Sequence, residues 1–532
     1  MPSVTREEFV RLVGRERRAE GETLLVPVGV RLLSDHLTPV GAYRRLVAPD
    51  ERTAPSFLLE SVENGERQGR HSLLGAQPSI EVVAYANDVR ITDHRAGETT
   101  TSREADPLAT VRAVSRAWRF VEPPSVRGHE LPSCALGGWF GWASYDSVRY
   151  AEPDKLTLDN APPDDRRLPD VHFAWHDGAV VFDHVDKLAH VVRLARVGPG
   201  DDPGGAYDAA IDAIERTVGA LQGEGPRLAC GRVERDASPP GELRSNITRE
   251  QHAGMVARAQ EYIRAGDIFQ VVIGQRFERV SPADPFDVYR ALRAVNPSPY
   301  MVYMQGEGCI LVASSPEILC RVARGPCGEW VVTNRPLAGT RRRGATPEED
   351  AALERELLAD EKERAEHVML VDLGRNDVGR VAEPGTIDLP ALMEIERYSH
   401  VMHISSTVTG ALRDGLDCWD ALRATLPVGT ISGAPKIRAM QIIDELEPVR
   451  RGPYGGGMGY IAPDGRMDIA LALRTIVVPT TMRRDDAWMY HLQAAGGIVA
   501  DSKADDEFQE TVNKAAALAR AIDLAERAFP PA

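Results

Sequence analysis

The sequence has few cysteines, and they follow no pattern that marks a disulfide framework or a zinc site. Six cysteines are scattered over 532 residues, and none belongs to a CxxC pair. Small secreted domains held by disulfides and cysteine-ligated metal centres are therefore excluded as classes. We expect free thiols in a reducing compartment.

Long apolar runs and basic tracts are also missing. No stretch approaches the roughly 18 uncharged residues that a membrane span needs, and the opening segment MPSVTREEFVRLVGRERRAEG lacks the apolar core of a signal peptide. The formal net charge is −16, and the longest basic run is only Arg341–Arg343. A nucleic-acid partner, which needs a basic face, is not favoured. We expect a cytoplasmic protein without a nucleic-acid or membrane partner.

What is present is the composition of an ordinary globular protein, with 43% hydrophobic and 27% charged residues. Between about residues 198 and 246, GPGDDPGG and ASPPGELRSN flank a short amphipathic helix. Such turn-rich stretches are typical of linkers. We therefore divide the chain into an N-terminal segment (1–197), a linker or helical connection (198–246) and a C-terminal segment (247–532).

The first half is rich in strand signals. In VHFAWHDGAVVFDHV, Asp177 and Gly178 separate two β-rich arms, which predicts a hairpin. LGGWFGWASYD indicates a close-packed sheet. A second hairpin is predicted in the other half of the chain, with its turn at Pro-Asp-Gly, residues 463–465.

The second half alternates helices and strands, with clear helix ends. One helix stops near Gly266, and another begins near Asp505. A third has Thr346 as its N-cap and Pro347 at its first position, with Glu349 three residues after the cap. It is predicted to run as one long helix through DEKERAEHVMLVDL. The pattern indicates an α+β fold with much antiparallel sheet.

Two acidic pairs stand out within the helical segments. Glu363 and Glu366 lie one turn apart, as do Glu507 and Glu510, although like charges at this spacing repel. Two such helices facing each other would form a cage of four carboxylates, and hard oxygen ligands suit Mg²⁺. The alternative is two solvated helix faces with an i,i+4 pair between Glu510 and Lys514, and spacing alone favours it.

Nine motifs then occur in one order. They are GDIFQVVIGQRF, SPEILC, RPLAGT, DEKERAEHVMLVDLGRNDVGRV, YSHVMHISS, GTISGAPKIRAM, YGGGMGY, ALALRTIVV and AAGGIVADS…DDEFQETVNKA. Together they resemble the chorismate-utilising enzymes, specifically the synthase subunit (component I) of anthranilate synthase. The dense resemblance spans Arg249 to Leu524, and a weaker one covers the first half.

The resemblance implies a fold of two packed antiparallel-rich β-sheets with peripheral helices. Residues 247–532 would be the chorismate-binding catalytic domain, and residues 1–197 an N-terminal domain that contributes to a tryptophan site. The implied reaction joins chorismate and ammonia to give anthranilate, pyruvate and water. The implied cofactor is Mg²⁺, with Glu366 and Glu510 as ligands and Glu363 and Glu507 completing the acidic shell.

The resemblance also assigns roles in catalysis. Glu317 matches the general acid that protonates the departing hydroxyl, and His403 matches the histidine linked to pyruvate elimination. Each alone would more often be a surface charge or a core histidine. Gln270 stands where water-adding relatives carry a lysine base, and Ala338 where aminodeoxychorismate-forming relatives carry an attacking lysine. Both differences favour ammonia addition that leads to anthranilate.

Further positions match contacts to the dianionic substrate. Arg474 would bind the pyruvyl carboxylate in bidentate fashion, and without the family a strand-end ion pair would be the better interpretation. The other substrate-binding candidates are Tyr454, Thr430, Lys514, Gly496, Gly497, Ala338, Gly339 and Thr340; Thr430 is also a catalytic candidate.

The resemblance finally implies two partners. Because none of the six cysteines has the setting of a glutaminase nucleophile, ammonia would come from a separate glutamine amidotransferase subunit in a hetero-oligomer. L-tryptophan would inhibit by binding at Glu60, Ser61, Asn296, Pro297, Pro299, Tyr300 and Met301. Val302 replaces a common phenylalanine, so we expect weakened inhibition. The alternatives are a 2-amino-2-deoxyisochorismate synthase, an aminodeoxychorismate synthase-like enzyme and a catalytically silent tryptophan-binding regulator.

Overall fold

The computed structural model describes residues 2–48, 51–63, 67–123, 130–233, 241–398 and 401–529. Part of the predicted linker, residues 234–240, lies outside these ranges, as do Ser399 and His400 of the YSHVMHISS motif. No helix of the described ranges has both the length and the apolar character that a membrane crossing needs.

The helices lie mainly outside two large sheets. In chain order they are α1 (Arg6–Arg15), α2 (Pro39–Leu46), α3 (Pro107–Ser115), α4 (Val148–Ala151), α5 (Pro203–Gln222), α6 (Arg249–Ala265), α7 (Pro285–Val295), α8 (Pro347–Ala359), α9 (Glu361–Gly379), α10 (Cys418–Thr425), α11 (Lys436–Leu446) and α12 (Ala504–Ala528).

The strands are distributed along the whole described chain. They are β1 (Thr23–Leu33), β2 (Ser56–Glu60), β3 (Val62–Glu63), β4 (Arg67–Gln68), β5 (His71–Ala76), β6 (Ile80–Tyr85), β7 (Asp88–Asp93), β8 (Glu98–Arg103), β9 (Trp118–Phe120), β10 (Gly138–Ala143), β11 (Val171–His176), β12 (Gly178–Asp183), β13 (Leu188–Val197), β14 (Arg244–Ser245), β15 (Gln270–Ser281), β16 (Tyr300–Gly306), β17 (Cys309–Ser315), β18 (Ile318–Arg324), β19 (Trp330–Asn334), β20 (Leu337–Arg342), β21 (Asp388–Arg397), β22 (Val401–Ala411), β23 (Gly433–Ala434), β24 (Gly457–Ile461), β25 (Met467–Leu471), β26 (Thr475–Pro479) and β27 (Trp488–Ile498).

These strands form two sheets, which confirms the predicted α+β class. The first has the order β14-β15-β27-β26-β17-β16-β2-β5-β12-β13-β1-β9, and β23 pairs with β15. The second has the order β20-β22-β19-β18-β25-β24-β10-β11-β6-β7-β8, and β21 pairs with β22. The described pairings are antiparallel except that of β1 with β9. Both sheets combine strands from the first and the second half of the chain, while the predicted domain division stays a prediction.

The sheets pack on each other through a core that contains side chains from both. Phe57 of β2 and Phe140 of β10 stack with their ring centroids 3.7 Å apart, and Val302 and Met458 belong to the same cluster. A second cluster covers the outer face of the first sheet with α1, α2, α5, α7 and α12. The helices therefore lie outside the sheets, as the resemblance implies.

The predicted hairpin at Asp177 and Gly178 is wrong, although both strands exist. Strand β11 pairs with β6 and β10 in the second sheet, whereas β12 pairs with β5 and β13 in the first. The chain thus passes from one sheet to the other at Asp177, whose carboxylate accepts hydrogen bonds from Trp175 and Arg196. A Cβ at Gly178 would lie 2.1 Å from the carbonyl oxygen of Val192. Close strand approach, and not a turn, explains this glycine.

Two helix predictions also need correction. The long helix after Thr346 is broken into α8 and α9 at Asp360, whose side chain accepts hydrogen bonds from the first backbone N–H groups of α9. The short helix in the predicted linker is α5, which has 20 residues and packs on β13 and α1. The predicted hairpin at residues 463–465 is confirmed by β24 and β25, the stop at Gly266 by its left-handed φ of 82°, and the Thr346 cap by its bond to the Glu349 N–H.

Candidate active site

Two neighbouring segments in which the chain crosses between the sheets carry Glu317 and Arg474. Glu317 joins β17 of the first sheet to β18 of the second, and Arg474 joins β25 of the second to β26 of the first. The segments are bonded to each other: Leu471 donates its N–H to the Glu317 carbonyl at 3.0 Å, and Ser314 to the Arg474 carbonyl at 3.1 Å. The paired crossings therefore place both side chains beside the gap between the sheets.

Glu317 is a buried carboxylic acid, with 3% of its surface exposed. Burial raises its pKa to about 8, against the lowering effect of a hydrogen bond that Thr430 donates to Oε1 at 2.8 Å. The Glu396 carboxylate raises it further. Because the pKa lies above neutrality, the group holds a proton at pH 7, which a general acid requires.

Arg474 and His403 face each other. His403 Nδ1 lies 3.0 Å from the carbonyl oxygen of Gly339. Because a carbonyl oxygen can only accept a hydrogen bond, Nδ1 carries the proton and donates it. His403 Nε2 is then an acceptor, and Arg474 Nη2 lies 3.4 Å from it. Burial lowers the pKa of His403 to about 3, and the Arg474 charge lowers it further. The imidazole is therefore neutral at pH 7.

Arg474 is a cation whose charge is not balanced by a neighbouring carboxylate. Among the ion pairs of the described ranges none includes it, and burial lowers its pKa. Its backbone is left-handed, with φ of 46°, a conformation that costs a non-glycine residue roughly 1–2 kcal/mol. A left-handed backbone and a half-buried guanidinium without a carboxylate partner make Arg474 a candidate for binding an anion.

The strand β20 contributes the candidates Ala338, Gly339 and Thr340. Its register against β22 shifts between Ala338 and Thr340, so that Thr340 is paired with His403, and Thr340 Oγ1 lies 3.1 Å from His403 Nδ1. Gly339 has φ of 68°, and a Cβ there would lie 3.2 Å from Glu363 Oε2. At this bulge, His403 and Glu363 therefore both approach the same glycine.

The strand β27 contributes Gly496 and Gly497, which leave space for two functional side chains. A Cβ at Gly496 would lie 3.2 Å from Glu507 Oε2, and one at Gly497 would lie 2.6 Å from Gln270 Nε2. Gln270 is buried, and its Oε1 has no hydrogen-bond partner among the described residues. An uncharged amide with a free acceptor can hold an ammonia N–H but cannot remove a proton from water.

Tyr454 and Lys514 lie beside the same strand. Lys514 Nζ donates to the carbonyl oxygen of Ala495 at 2.8 Å and pairs with Glu510 Oε1 at 2.6 Å. Tyr454 is buried, and burial raises its pKa even though the Ala495 N–H hydrogen-bonds to its oxygen. The i,i+4 pair of Glu510 and Lys514 predicted from spacing thus forms.

The four glutamates, two on α9 and two on α12, lie close enough for the charges of three of them to act on Glu366. Burial raises the pKa of Glu366 to about 7, and Glu363, Glu510 and Glu507 each raise it further while Lys362 lowers it. Burial also raises the pKa of Glu507, whose Oε2 has no hydrogen-bond partner in the described ranges. Burial is the main cause of both shifts, and repulsion between the neighbouring carboxylates adds to them.

The carboxylates do not form a closed ligand set. Within the described ranges, no three histidine, cysteine or acidic side chains make a group that could hold a metal ion. The donor chemistry nevertheless fits a hard cation, because all four candidates offer oxygen and Glu507 has a buried oxygen without a partner. The chemical type of these ligands therefore suits Mg²⁺. To coordinate the ion, the four side chains would have to move closer together.

His367, which follows Glu366 in the sequence, is not part of this acidic group. It is fully buried, and its Nε2 lies 2.6 Å from Ser406 Oγ on β22. Burial lowers its pKa to about 4. His367 therefore connects α9 to the sheet as a neutral core residue.

The two segments of the candidate tryptophan site are adjacent strands. Met301 of β16 is paired with Glu60 of β2. Glu60 is buried; its Oε2 accepts a hydrogen bond from Tyr289 at 2.7 Å and pairs with Arg293 Nε at 2.7 Å. Ser61 approaches Gly69, where a Cβ would lie 2.7 Å from Ser61 Oγ.

The other tryptophan candidates divide between the two faces of β16. Asn296 is buried and donates from Nδ2 to Ser314 Oγ at 3.1 Å, and Pro297 and Pro299 lie in the segment that follows. Met301 lies in the cluster that covers the first sheet, whereas Val302 lies in the cluster between the sheets. Because side chains alternate along a strand, Val302 points away from Glu60, and the expectation of weakened inhibition stays a prediction.

Tyr300 shares the face of Val302. Its hydroxyl donates to Asp468 Oδ1 at 2.8 Å and accepts from Arg321 Nη2 at 2.9 Å. Its oxygen is thus already engaged on the side of the strand opposite Met301.

Sequence reasoning missed several residues that hold the candidates. Arg341 Nη1 lies 3.3 Å from Glu363 Oε1 and also pairs with Asp360, and its place immediately after the RPLAGT motif could have identified it. Lys436 pairs with Asp377, and both belong to motifs that were recognised only as a whole. Arg451, fully buried against Glu447, carried no signal in its local sequence.

Comparison with known proteins identifies the family. A family model described as chorismate binding enzyme matches residues 55–520. Anthranilate synthase alpha subunit 1, chloroplastic, of Oryza sativa subsp. indica is 54% identical over 528 residues, covering 96% of this chain and 90% of the relative. Anthranilate synthase component 1 of Pseudomonas aeruginosa is 44% identical over 526 residues, covering 98% and 99%.

A solved structure agrees with both. The crystal structure of anthranilate synthase component I from Streptococcus pneumoniae TIGR4 is 34% identical, with a TM-score of 0.70 over 92% of this chain and 99% of that one. The extent of the family match and the identity of these relatives lead to one assignment. The chain belongs to the chorismate binding enzyme family.

Proposed function

We propose that the protein is the synthase subunit of an anthranilate synthase, which converts chorismate and ammonia to anthranilate, pyruvate and water in tryptophan biosynthesis. The observation that carries the proposal is the buried Glu317, whose pKa of about 8 keeps it protonated beside the unpaired Arg474. A dianionic ring with a departing hydroxyl needs both groups. The relatives named above support the choice within the family.

In this mechanism the chain's own residues bind the anion and move protons. Arg474 binds the pyruvyl carboxylate through its guanidinium, since no carboxylate of the described residues neutralises it. Glu317 donates its proton to the leaving hydroxyl at carbon 4 of the ring as ammonia adds at carbon 2. Gln270 orients ammonia through its free Oε1. His403 supports pyruvate elimination with Nε2, which is unprotonated because Nδ1–H donates to Gly339.

Glu366 and Glu510 would hold Mg²⁺, with Glu363 and Glu507 beside them. The ion would supply positive charge for the ring carboxylate and neutralise the acidic group. Gly496 and Gly497 have no side chains and so allow the substrate to approach the backbone of β27, and Lys514, paired with Glu510, supplies a further positive charge.

The proposal includes a separate glutamine amidotransferase, inhibition by L-tryptophan at the Glu60 and Met301 strands, and a cytoplasmic location. Among the described cysteines, Cys309, Cys320 and Cys418 are buried. Burial raises the pKa of Cys309 and of Cys320 to about 12 in each case. Such thiols are poor nucleophiles, which supports ammonia delivery by another chain.

The test is a product assay on the purified chain with chorismate, Mg²⁺ and an ammonium salt, read by anthranilate fluorescence. We expect anthranilate with ammonium and none with glutamine alone. Glu317→Gln is the matched control, because it keeps the shape and removes the proton. Accumulation of an aminated intermediate without anthranilate, identified by mass spectrometry, would instead favour 2-amino-2-deoxyisochorismate synthesis. Absence of any turnover would favour a silent tryptophan-binding regulator.

A further inference from the structure

The loop that carries Thr430 is tied to α9 by a buried ion pair outside the group of candidate residues. Lys436 Nζ lies 2.5 Å from Asp377 Oδ1. The Asp377 side chain is 1% exposed and that of Lys436 12%. Lys436 opens α11 at the end of the Gly429–Lys436 segment, and Asp377 lies in the last turns of α9.

The same helix reaches the acidic group with its other half. Glu363 and Glu366 lie in its first two turns, whereas its second half contacts the Thr430 loop at two points. Besides the ion pair, Leu373 packs so closely on Gly429 that a Cβ there would lie 2.4 Å from Leu373 Cδ1. The helix thus connects the carboxylates to the residue before Thr430.

The ion pair is difficult to explain by stability alone. Burial raises the pKa of Asp377 to about 6 and lowers that of Lys436. The second oxygen of Asp377, Oδ2, has no hydrogen-bond partner in the part of the chain that the structure describes. Removing two charges from water costs several kcal/mol per ion, and an incompletely bonded pair regains this poorly. A positional role is the remaining use of such a pair.

The position of the loop determines whether Thr430 can donate its hydrogen bond to Glu317. Strand β15 holds the middle of the loop, since Val272 donates to the Ser432 carbonyl at 2.9 Å and β23 pairs with β15. Arg451, which lies between α11 and β24, donates to the Ile431 carbonyl at 2.7 Å. At the two ends of the loop, Gly429 and Lys436 contact α9. Thr430, between these holds, donates the hydrogen bond to Glu317.

We propose that Asp377 and Lys436 are positioning residues, which fix the Gly429–Lys436 loop against α9 so that the Thr430 hydroxyl stays on Glu317. This inference rests on the proposed function, because it takes Glu317 to be the general acid. The other charged group that acts on Glu317 is Glu396 on β21, which is paired with Arg335. Neither contacts the ion pair, so its removal would act through the loop.

The test replaces the pair by apolar residues of similar shape, Asp377→Leu with Lys436→Met. A single replacement would leave one buried charge alone and could unfold the protein, whereas replacing both partners is often neutral for stability. We expect the thermal midpoint to stay within a few degrees, kcat to fall about fivefold, which is the most that the loss of the roughly 1 kcal/mol Thr430 hydrogen bond allows, and KM for chorismate to change little. Amide hydrogen exchange in residues 429–436 should accelerate, a readout that does not depend on activity.

The matched control is Arg279→Met with Asp523→Leu and Glu526→Gln, which removes an ion group of similar burial between β15 and α12 together with both carboxylates that Arg279 contacts. It should leave both kcat and exchange in the loop at parent values. In a Thr430→Val background, the Asp377 and Lys436 replacement should lower kcat no further, because the hydrogen bond is already lost. Parent exchange in the loop, or a kcat loss that multiplies with that of Thr430→Val, would overturn the inference. A parent enzyme that makes no anthranilate would instead overturn the proposed function, while the exchange result would still decide the positional role.

Discussion

Replacement of Thr430 by valine is expected to move the basic limb of the pH–rate profile to higher pH. Valine keeps the shape of threonine and removes the hydroxyl that donates to Glu317 Oε1 at 2.8 Å. This hydrogen bond favours the carboxylate and therefore lowers the pKa of Glu317, which burial has raised to about 8. Without the bond, the pKa rises further, and Glu317 stays protonated to a higher pH.

The size of the shift follows from the difference between a hydrogen bond to a charged and to a neutral carboxyl group. A bond to a charged group contributes about 1.5–3 kcal/mol and one to a neutral group about 1 kcal/mol. The difference of about 1 kcal/mol corresponds to somewhat less than one pKa unit. At pH 9 the protonated fraction of Glu317 would then rise from about 10% to between about 30% and 50%. At pH 7 the group is already protonated in both forms.

The assay is the initial rate of anthranilate formation between pH 6 and pH 9.5 at a constant concentration of neutral ammonia. We expect a lower kcat at pH 7, since a weaker acid donates less readily, together with a higher ratio of the rate at pH 9 to the rate at pH 7. Thr430→Ser, which keeps the donor, should retain the parent profile. A basic limb that stays in place or moves to lower pH in Thr430→Val would refute the assignment of Glu317 as the acid.

Three further predictions concern the other parts of the site. Glu366→Gln or Glu510→Gln should abolish activity and the rise in thermal midpoint that Mg²⁺ causes in the parent, measured by calorimetry, whereas Glu361→Gln on the same helix should keep both. His403→Met should still add ammonia but release little anthranilate, so that mass spectrometry detects an aminated intermediate; normal anthranilate would contradict its role. Ser61→Phe should fill the candidate tryptophan site, and activity titrated with L-tryptophan should lose its inhibition; unchanged inhibition would place the regulator elsewhere.

The sequence predicted local features wherever the deciding contacts are local. The cap at Thr346, the stop at Gly266 and the hairpin at residues 463–465 depend on neighbours within a few residues. The break at Asp360 was also encoded locally, because aspartate is a strong N-cap, but the acidic run around it concealed that signal.

Features that depend on sheet membership could not be predicted in this way. An Asp-Gly pair between two β-rich arms looks the same whether the strands pair with each other or join different sheets, so Asp177 and Gly178 were misassigned. The face of β16 on which Val302 lies could not be predicted either, because a motif match does not show which face lies against Glu60. Pairing partners distant in the sequence decide both cases.

The two segments that cross between the sheets, which carry Glu317 and Arg474, explain why the candidate site lies beside the gap between the sheets. A strand that continues within one sheet fixes its side chains to that sheet's faces, whereas a residue between two sheets can point along the gap. Arg474 occupies such a place with a left-handed backbone, which glycine would adopt at lower cost. Glycine would lose the guanidinium, which the proposed binding of the substrate carboxylate needs. The neighbouring crossing holds Glu317 by the mutual backbone bonds of Leu471 and Ser314. The proposed proton donor and the proposed anion-binding group are thus carried by two strand crossings that are hydrogen-bonded to each other.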